Sequence, residues 1–310
     1  MTKKELATVC IDINKEGLEL GPLDHPLLSK KEANVFYVDH MNLEDLKEKY
    51  KTEPVDIEKI TKPDYVLSNK SLKTILNKKK FHYVVASHVI EHVPDIITWF
   101  CDIADILEDE GVLSLIVPDK RFTFDIMRNT SIPADIIGAY LDKQTKPTSA
   151  TMYDFTMECR ANIIASEVWA NQNEDYSKKP YIYSREVAWQ KCLDNANTEK
   201  YIDCHCHVFT PYSFVKILKS LIELNLLEFE VAHFSETKEN SMEFFVSLRK
   251  TKKNNESKIR SLPNIKRDPD IWQVQTELTK INKDFSDIEH SASWKITKPL
   301  RKVKKIVKRK

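Results

Sequence analysis

The stretch Tyr83-Val84-Val85-Ala86-Ser87-His88-Val89-Ile90-Glu91-His92-Val93 decides how this chain is read. A short apolar run closed by the polar pair Ser87-His88 fits a strand buried on both faces, as in a parallel sheet. Directly after it, Pro94 to Leu107 places Ile96, Ile97, Phe100, Ile103, Ala104 and Leu107 on one helical face. A turn ending at Gly111 then leads into a second apolar run, Val112–Val117, closed by Pro118-Asp119. Strand, helix and strand in this order form a βαβ unit, whose two strands lie parallel.

The same rhythm extends upstream. Gly17-Leu18-Glu19-Leu20 is a strand entering a turn at Gly21-Pro22; Val35–Val38 is a strand ended by Asp39-His40; Asp64–Leu67 is a strand ended by Ser68-Asn69. Helical patterns at 42–51 and 71–78 separate them. Downstream, Thr210-Pro211 opens an amphipathic helix through Leu224, and Phe229–Phe234 and Met242–Leu248 follow as two strands. The expectation is a doubly wound, mainly parallel α/β sheet of seven strands, closed by a hairpin with an antiparallel edge strand. Residues 1–120 would form the first half of the domain, 121–205 a mostly helical insertion capping the sheet's carboxyl edge, and 206–250 the final helix and strands. Residues 251–269, polar with two prolines, read as a linker. In 270–310, Ile271, Val274, Leu278, Ile281, Phe285 and Ile288 follow heptad spacing before a basic tail. A short homodimeric coiled coil and a helix packed on its own domain both fit that pattern.

Composition narrows the classes. The chain has 310 residues, 41% hydrophobic, with no run near the roughly 18–20 apolar residues of a membrane span. No cleavable leader is expected, and the reading is cytoplasmic. Six scattered cysteines read as reduced thiols. Cys204-His205-Cys206-His207 alternates along an extended segment and points to opposite faces, so no metal site is expected. From Lys295 to Lys310 there are nine Lys or Arg and no acid, leaving 39 bases against 47 acids in the rest. An anionic partner therefore belongs to the tail alone. Leu300, Val303, Ile306 and Val307 share one face there, beside Trp294, as suits an interfacial helix on an anionic membrane over 294–310. Nucleic acid is not an expected partner, since no recognised RNA-binding module accompanies the charge.

In open α/β sheets, ligands bind beyond the carboxyl ends of the strands. Those ends offer Glu19, Gly21 and Pro22, then Asp39, then Ser68 and Asn69, then Ser87 and His88. Gly21 lets backbone approach a ligand. Asp39 can accept from two vicinal ribose hydroxyls, and Ser68 and Asn69 can read the polar edge of an adenine. These residues, with Val84 to Val93 and the passage Ile106-Leu107-Glu108-Asp109-Glu110-Gly111-Val112-Leu113, resemble the class I S-adenosylmethionine (SAM)-dependent methyltransferase family. The resemblance covers 17–120 best and 208–250 by topology. It implies a Rossmann-like fold with a helical insertion and a C-terminal helical tail. It also implies SAM as cofactor, held by Glu19, Gly21, Pro22, Asp39, Ser68, Asn69 and Ser87. The family's acidic-x-Gly-x-Gly turn reads Glu19-Leu20-Gly21-Pro22-Leu23 here, with leucine at the second glycine. A dinucleotide oxidoreductase does not fit: the third fingerprint glycine is absent, and the chain holds four glycines in all.

Methyl transfer aligns a nucleophile with a sulfonium methyl, and an alcohol nucleophile must also lose its proton. His88, His92, His205 and His207 are the candidate bases, with Asp119 to orient or replace one; Glu91 reads as a salt-bridge partner. Tyr140, Tyr153, Phe155, Trp169, Tyr181, Tyr183 and Trp189 are candidates for a sugar-binding platform, and Arg121, Arg160 and Arg185 for an anionic group. The stretch Ser291 to Arg301 resembles a segment at the ends of bacterial glycosyltransferases and glycan-modifying methyltransferases. It implies surface-polysaccharide biosynthesis at the inner membrane face. The expected function is O-methylation of a sugar hydroxyl. A methyltransferase of a small metabolite or protein group, and a non-catalytic scaffold on the same fold, are the alternatives.

Overall fold

The computed structural model describes residues 1–268 except Asn69, Gln172 and Asn173, together with Lys283, Ser286 and His290. It divides into two compact units, Met1–Ile265 and Lys266–Lys310. The heptad residues from Ile271 to Ile288 and the tail 294–310 lie outside the described residues, as does Asn69.

In the first unit, seven strands form one sheet in the order β3-β2-β1-β4-β5-β7-β6. They are β1 (Gly17–Leu20), β2 (Val35–Asp39), β3 (Tyr65–Val66), β4 (Phe81–Ser87), β5 (Leu107–Pro118), β6 (Phe229–Ser235) and β7 (Glu243–Lys250). Strands β1 to β5 run parallel, and β7 runs antiparallel to both β5 and β6. This is the mainly parallel, doubly wound α/β sheet expected from the strand-helix alternation. One detail is corrected: the antiparallel strand is not at the edge. β7 pairs along its length with β5, and β6 is outermost. A hairpin pattern alone does not say which of its strands joins the sheet. Strand order reverses between β1 and β4, which places a crevice at their carboxyl ends.

Helices cover both faces. The helix α1 (Lys3–Thr8) precedes the sheet; α2 (Leu43–Lys49), α3 (Leu72–Leu76) and α4 (Ile96–Ile106) lie between strands. The insertion contributes α5 (Pro133–Leu141), α6 (Ser149–Glu158), α7 (Ala165–Ala170) and α8 (Arg185–Ala196), followed by α9 (Pro211–Glu223) and α10 (Asn255–Arg260). The apolar stripes of α4 and α9 pack with Leu72 and Leu76 of α3 and Ile136 of α5 over one sheet face. Phe100, Phe214, Phe229 and Phe244 are fully buried there, each contributing roughly 2–3 kcal/mol of transfer free energy. On the other face, Leu6 and Ala7 of α1 meet Val35, Tyr37, Tyr83, Val85 and Ile116. Gly17 leaves room for the Tyr83 ring: a Cβ there would fall 1.9 Å from it.

Two elements depart from the sequence expectation. α1 is fixed by a capping box, with Thr2 Oγ1 accepting from Glu5 N (3.2 Å) and Glu5 Oε2 accepting from Thr2 N (2.8 Å). The polar stretch read as a linker carries α10, whose Lys258 donates to the Leu227 carbonyl (2.8 Å) while Ser261 Oγ accepts from Val231 N. Polar side chains there serve as docking groups on β6 rather than as solvated spacer.

Candidate functional site

At the end of β1 the chain turns through two residues of positive φ, Gly21 (+61°) and Leu23 (+44°). Leucine therefore holds the left-handed conformation that glycine adopts without cost, a conformation that costs roughly 1–2 kcal/mol for a residue with a Cβ. The turn is pinned from both sides: Gly21 N donates to Val38 O (2.9 Å) and Leu23 O accepts from Thr61 N (2.7 Å). Glu19 is buried and points into this loop, not outward. Its two oxygens accept from Leu27 N (2.7 Å) and Leu28 N (3.0 Å). Burial pushes its carboxyl up to about 7, against the pull of those two bonds. Pro22 is buried behind the turn, while Gly21 is exposed.

Asp39 closes β2. Its Oδ1 accepts from His40 N (2.7 Å) and meets His40 Nδ1 (2.5 Å). Ser68, past β3, is exposed with φ +41°; Ser87 ends β4 half-buried; His88 follows with φ +54°. Leu23, Ser68 and His88 thus place three side-chain-bearing residues in the left-handed region along one sheet edge. Such strain concentrates where a ligand must be met. These residues fit SAM: an exposed glycine turn at β1, and beside it an acid of which the described hydrogen bonds engage one oxygen. Gly21, Asp39 and Ser68 would hold it, and Glu19 would shape the loop beneath.

Beyond β4 the character changes. Val89 leads into a short 3-10 turn, Ile90–His92. His88 Nε2 lies 2.7 Å from Glu243 Oε2 of β7, and Lys3 Nζ of α1 is 2.8 Å from the same oxygen. Burial would raise the Glu243 carboxyl, but the bonds from His88 and Lys3 outweigh it and lower it. His88 Nδ1 is 3.6 Å from Glu91 Oε1. Glu91 itself is 0% exposed, and among the described residues neither of its carboxylate oxygens has a hydrogen-bond partner. His92 Nδ1 meets Asp203 Oδ1 (2.8 Å), and Lys49 Nζ of α2 meets Asp203 Oδ2 (3.3 Å).

The insertion places His205 in this group. Its Nδ1 meets Asp125 Oδ2 (2.6 Å), and its ring stands edge-on to His92, centroids 4.7 Å apart. Arg128 holds Asp125 (2.8 Å), Asp154 (2.7 Å) and the His205 carbonyl (3.0 Å). Burial works to raise Asp125, but His205 and Arg128 hold its carboxyl at about 2, below its ordinary 3.8. His207 is turned away: Nε2 meets the Pro94 carbonyl (3.1 Å), and burial lowers its pKa. Asp119 is also occupied elsewhere, its carboxylate shared by Arg121 and Thr237 Oγ1 (2.6 Å).

Asp125, Arg128, Asp203 and Glu243 were missed by sequence reasoning. No local signal marks them, because each acquires its role from a partner dozens of residues away. Among the candidate aromatics, Trp169 stacks on Phe122 (4.3 Å, 5°) within a small core, and Phe155 packs near His205. Tyr153, Tyr181 and Trp189 are exposed. Arg160 is buried over Tyr181, and Arg185 is exposed at the start of α8.

Residues 4–221 match the family described as methyltransferase domain. No curated protein matches the chain. Among solved structures, a SAM-dependent methyltransferase from Methanosarcina mazei is 13% identical with a TM-score of 0.37, covering 78% of this chain and 95% of that one. The CcbJ methyltransferase of Streptomyces caelestis is 10% identical with a TM-score of 0.40, covering 81% and 97%. A SAM-dependent methyltransferase from Clostridium acetobutylicum is 11% identical with a TM-score of 0.39, covering 81% and 93%. Likeness this distant decides nothing by itself; the family match spans well over half of the chain. The chain belongs to the methyltransferase domain family, as a class I enzyme whose cofactor is SAM.

Proposed function

We propose that this methyltransferase methylates a sugar hydroxyl of a surface polysaccharide or its lipid-linked precursor. The observation that carries the reading is His88, held at the β4 end between Glu243 and Glu91. A hydroxyl is a poor nucleophile until its proton is removed, and an imidazole is suited to take that proton near neutrality. With Nε2 on Glu243, Nδ1, 3.6 Å from Glu91 Oε1, is the nitrogen left to accept it. When bound, SAM supplies an electrophilic methyl. Gly21, Asp39 and Ser68 orient it, and His88 receives the acceptor's proton. The exposed rings of Tyr153, Tyr181 and Trp189 offer apolar faces suited to pyranose stacking. The stretch Ser291 to Arg301 supports a glycan substrate by resemblance, and the basic charge of 294–310 supports a seat on the anionic inner membrane surface.

Incubation with methyl-labelled SAM and fractionated cell extract tests this. Label is expected in the lipid-linked or polymeric glycan fraction. Label confined to protein or to small metabolites would replace the acceptor assignment. Deleting 294–310 should abolish binding to anionic vesicles and leave SAM affinity intact. Sedimentation with and without 270–310 tests the dimer.

A further inference from the structure

We propose that Glu91, His92 and His205 bind a divalent metal ion beside the methyl acceptor. Among the described residues these three form a group that offers one ligand atom each, all within 4.8 Å of one another. An independent observation points to a cation there. Glu91 is completely buried, and among the described residues both its oxygens are without a hydrogen-bond partner. His88 Nδ1 stands 3.6 Å from Oε1, beyond hydrogen-bond distance, so the lone pairs of both oxygens remain for a cation.

The surroundings are those of a metal site. Asp203 takes Nδ1 of His92 and Asp125 takes Nδ1 of His205. Each carboxylate fixes its ring as the Nδ1–H tautomer and leaves Nε2 as a lone-pair donor, the usual support of a metal-ligating histidine. Tyr201 Oη holds Asp203 (3.1 Å), and Arg128 holds Asp125. Phe124 and Phe155 close around His205, centroids 4.8 and 5.9 Å from its ring. Two imidazoles and one carboxylate suit Mn(II), Fe(II), Co(II) or Zn(II) better than Ca(II). Three protein ligands leave positions open for a substrate oxygen.

The role assigned to the ion rests on the methyl-transfer reading. An acceptor hydroxyl at an open position becomes more acidic. Its proton passes to His88 Nδ1, and its oxygen forms the new bond to the methyl carbon. The sulfur–methyl bond breaks with its electron pair left on sulfur, giving a methyl ether and a neutral thioether.

The test is direct binding of Mn(II) and of Zn(II), each alone, to full-length chelator-stripped protein, followed by calorimetry and, for manganese, by paramagnetic resonance. One ion per chain is expected. Losing an outer carboxylate partner of a histidine ligand typically costs roughly 10- to 100-fold in metal affinity, so Asp203→Asn should fall in that range. Glu91→Gln, His92→Ala and His205→Ala should each lose more. Because Glu91→Gln alters a buried position, His92→Ala, at a ring one-third exposed, is the variant to rely on if the first does not fold. No binding at millimolar metal overturns the inference. Stoichiometric binding unchanged in His92→Ala and His205→Ala overturns it too, by placing the ion elsewhere. SAM calorimetry on the same protein separates the two readings: SAM binding without metal sinks this inference alone, and metal binding without SAM sinks the methyl-transfer reading alone.

Discussion

The two halves of the sheet edge are built in opposite ways. At the ends of β1 to β3 the work is done by backbone: a left-handed turn, an exposed glycine, and an acid buried beneath whose two oxygens accept from main-chain amides. At the end of β4 it is done by side-chain charge: three histidines, five carboxylates, two lysines and an arginine, brought together from segments as far apart as Lys3 and Glu243. A bridge joins the halves, running from Asp39 through His40 and Lys49 to Asp203 and His92. On the proposed function, the difference follows from what each half would meet. A cofactor common to a family can be met by a shared backbone shape. An acceptor particular to one enzyme needs its own constellation of side chains.

The largest effect should come from breaking the charged half. Asp125→Ala leaves Arg128 and His205 buried without their shared partner and should cost about 3–5 kcal/mol, read from denaturant unfolding. A loss below about 1 kcal/mol would mean that packing, not charge, holds this half.

The backbone half should instead show itself through pH. Glu19 has a folded pKa of about 7 against an ordinary 4.5. Its proton is bound more tightly in the folded chain, so its stabilising share is complete below about 4.5 and is lost as pH rises through 7. That share is on the order of 3 kcal/mol. Comparing unfolding of the parent and Glu19→Gln from pH 4 to 8 isolates it, and parallel curves would mean Glu19 has no such linkage. Next, Asp39→Ala removes a charged hydrogen-bond acceptor and should weaken SAM by about 1.5–3 kcal/mol, roughly 10- to 100-fold, measured by calorimetry. Unchanged affinity would remove Asp39 from the cofactor site. The smallest effect belongs to Leu23→Gly. Relief of the left-handed strain, less the added freedom of the unfolded chain, should leave a gain of about 0.5–1 kcal/mol. A loss would show that the Leu23 side chain supports the loop.

The backbone half was the legible one. Strand ends, the Gly21 turn and Asp39 follow from short-range alternation of apolar and polar residues, which period and composition capture. α1 was legible too but passed over: Thr2-Lys3-Lys4-Glu5 carries the capping-box spacing. In the charged half, the four histidines could be named but not sorted. Whether His205 or His207 joins His92 depends on Asp125, eighty residues earlier. Glu91 read as an ion-pair partner, and His88 stands 3.6 Å from it, but a sequence does not show that its buried oxygens go without a hydrogen bond among the described residues.

The place of β7 has a consequence for how the chain is made. β5 is complete once residue 118 has been synthesised, yet its neighbour on that side is the last strand, ending at Lys250. Until then the buried, mainly apolar part of β5, Val112–Pro118, has one hydrogen-bonding edge without its native partner, the condition under which nascent chains pair with one another. Synthesis at 5–20 residues per second, the usual range, makes that interval roughly 7–26 seconds. A truncation that removes the hairpin would make the interval permanent, and such a product should need a chaperone to stay in solution.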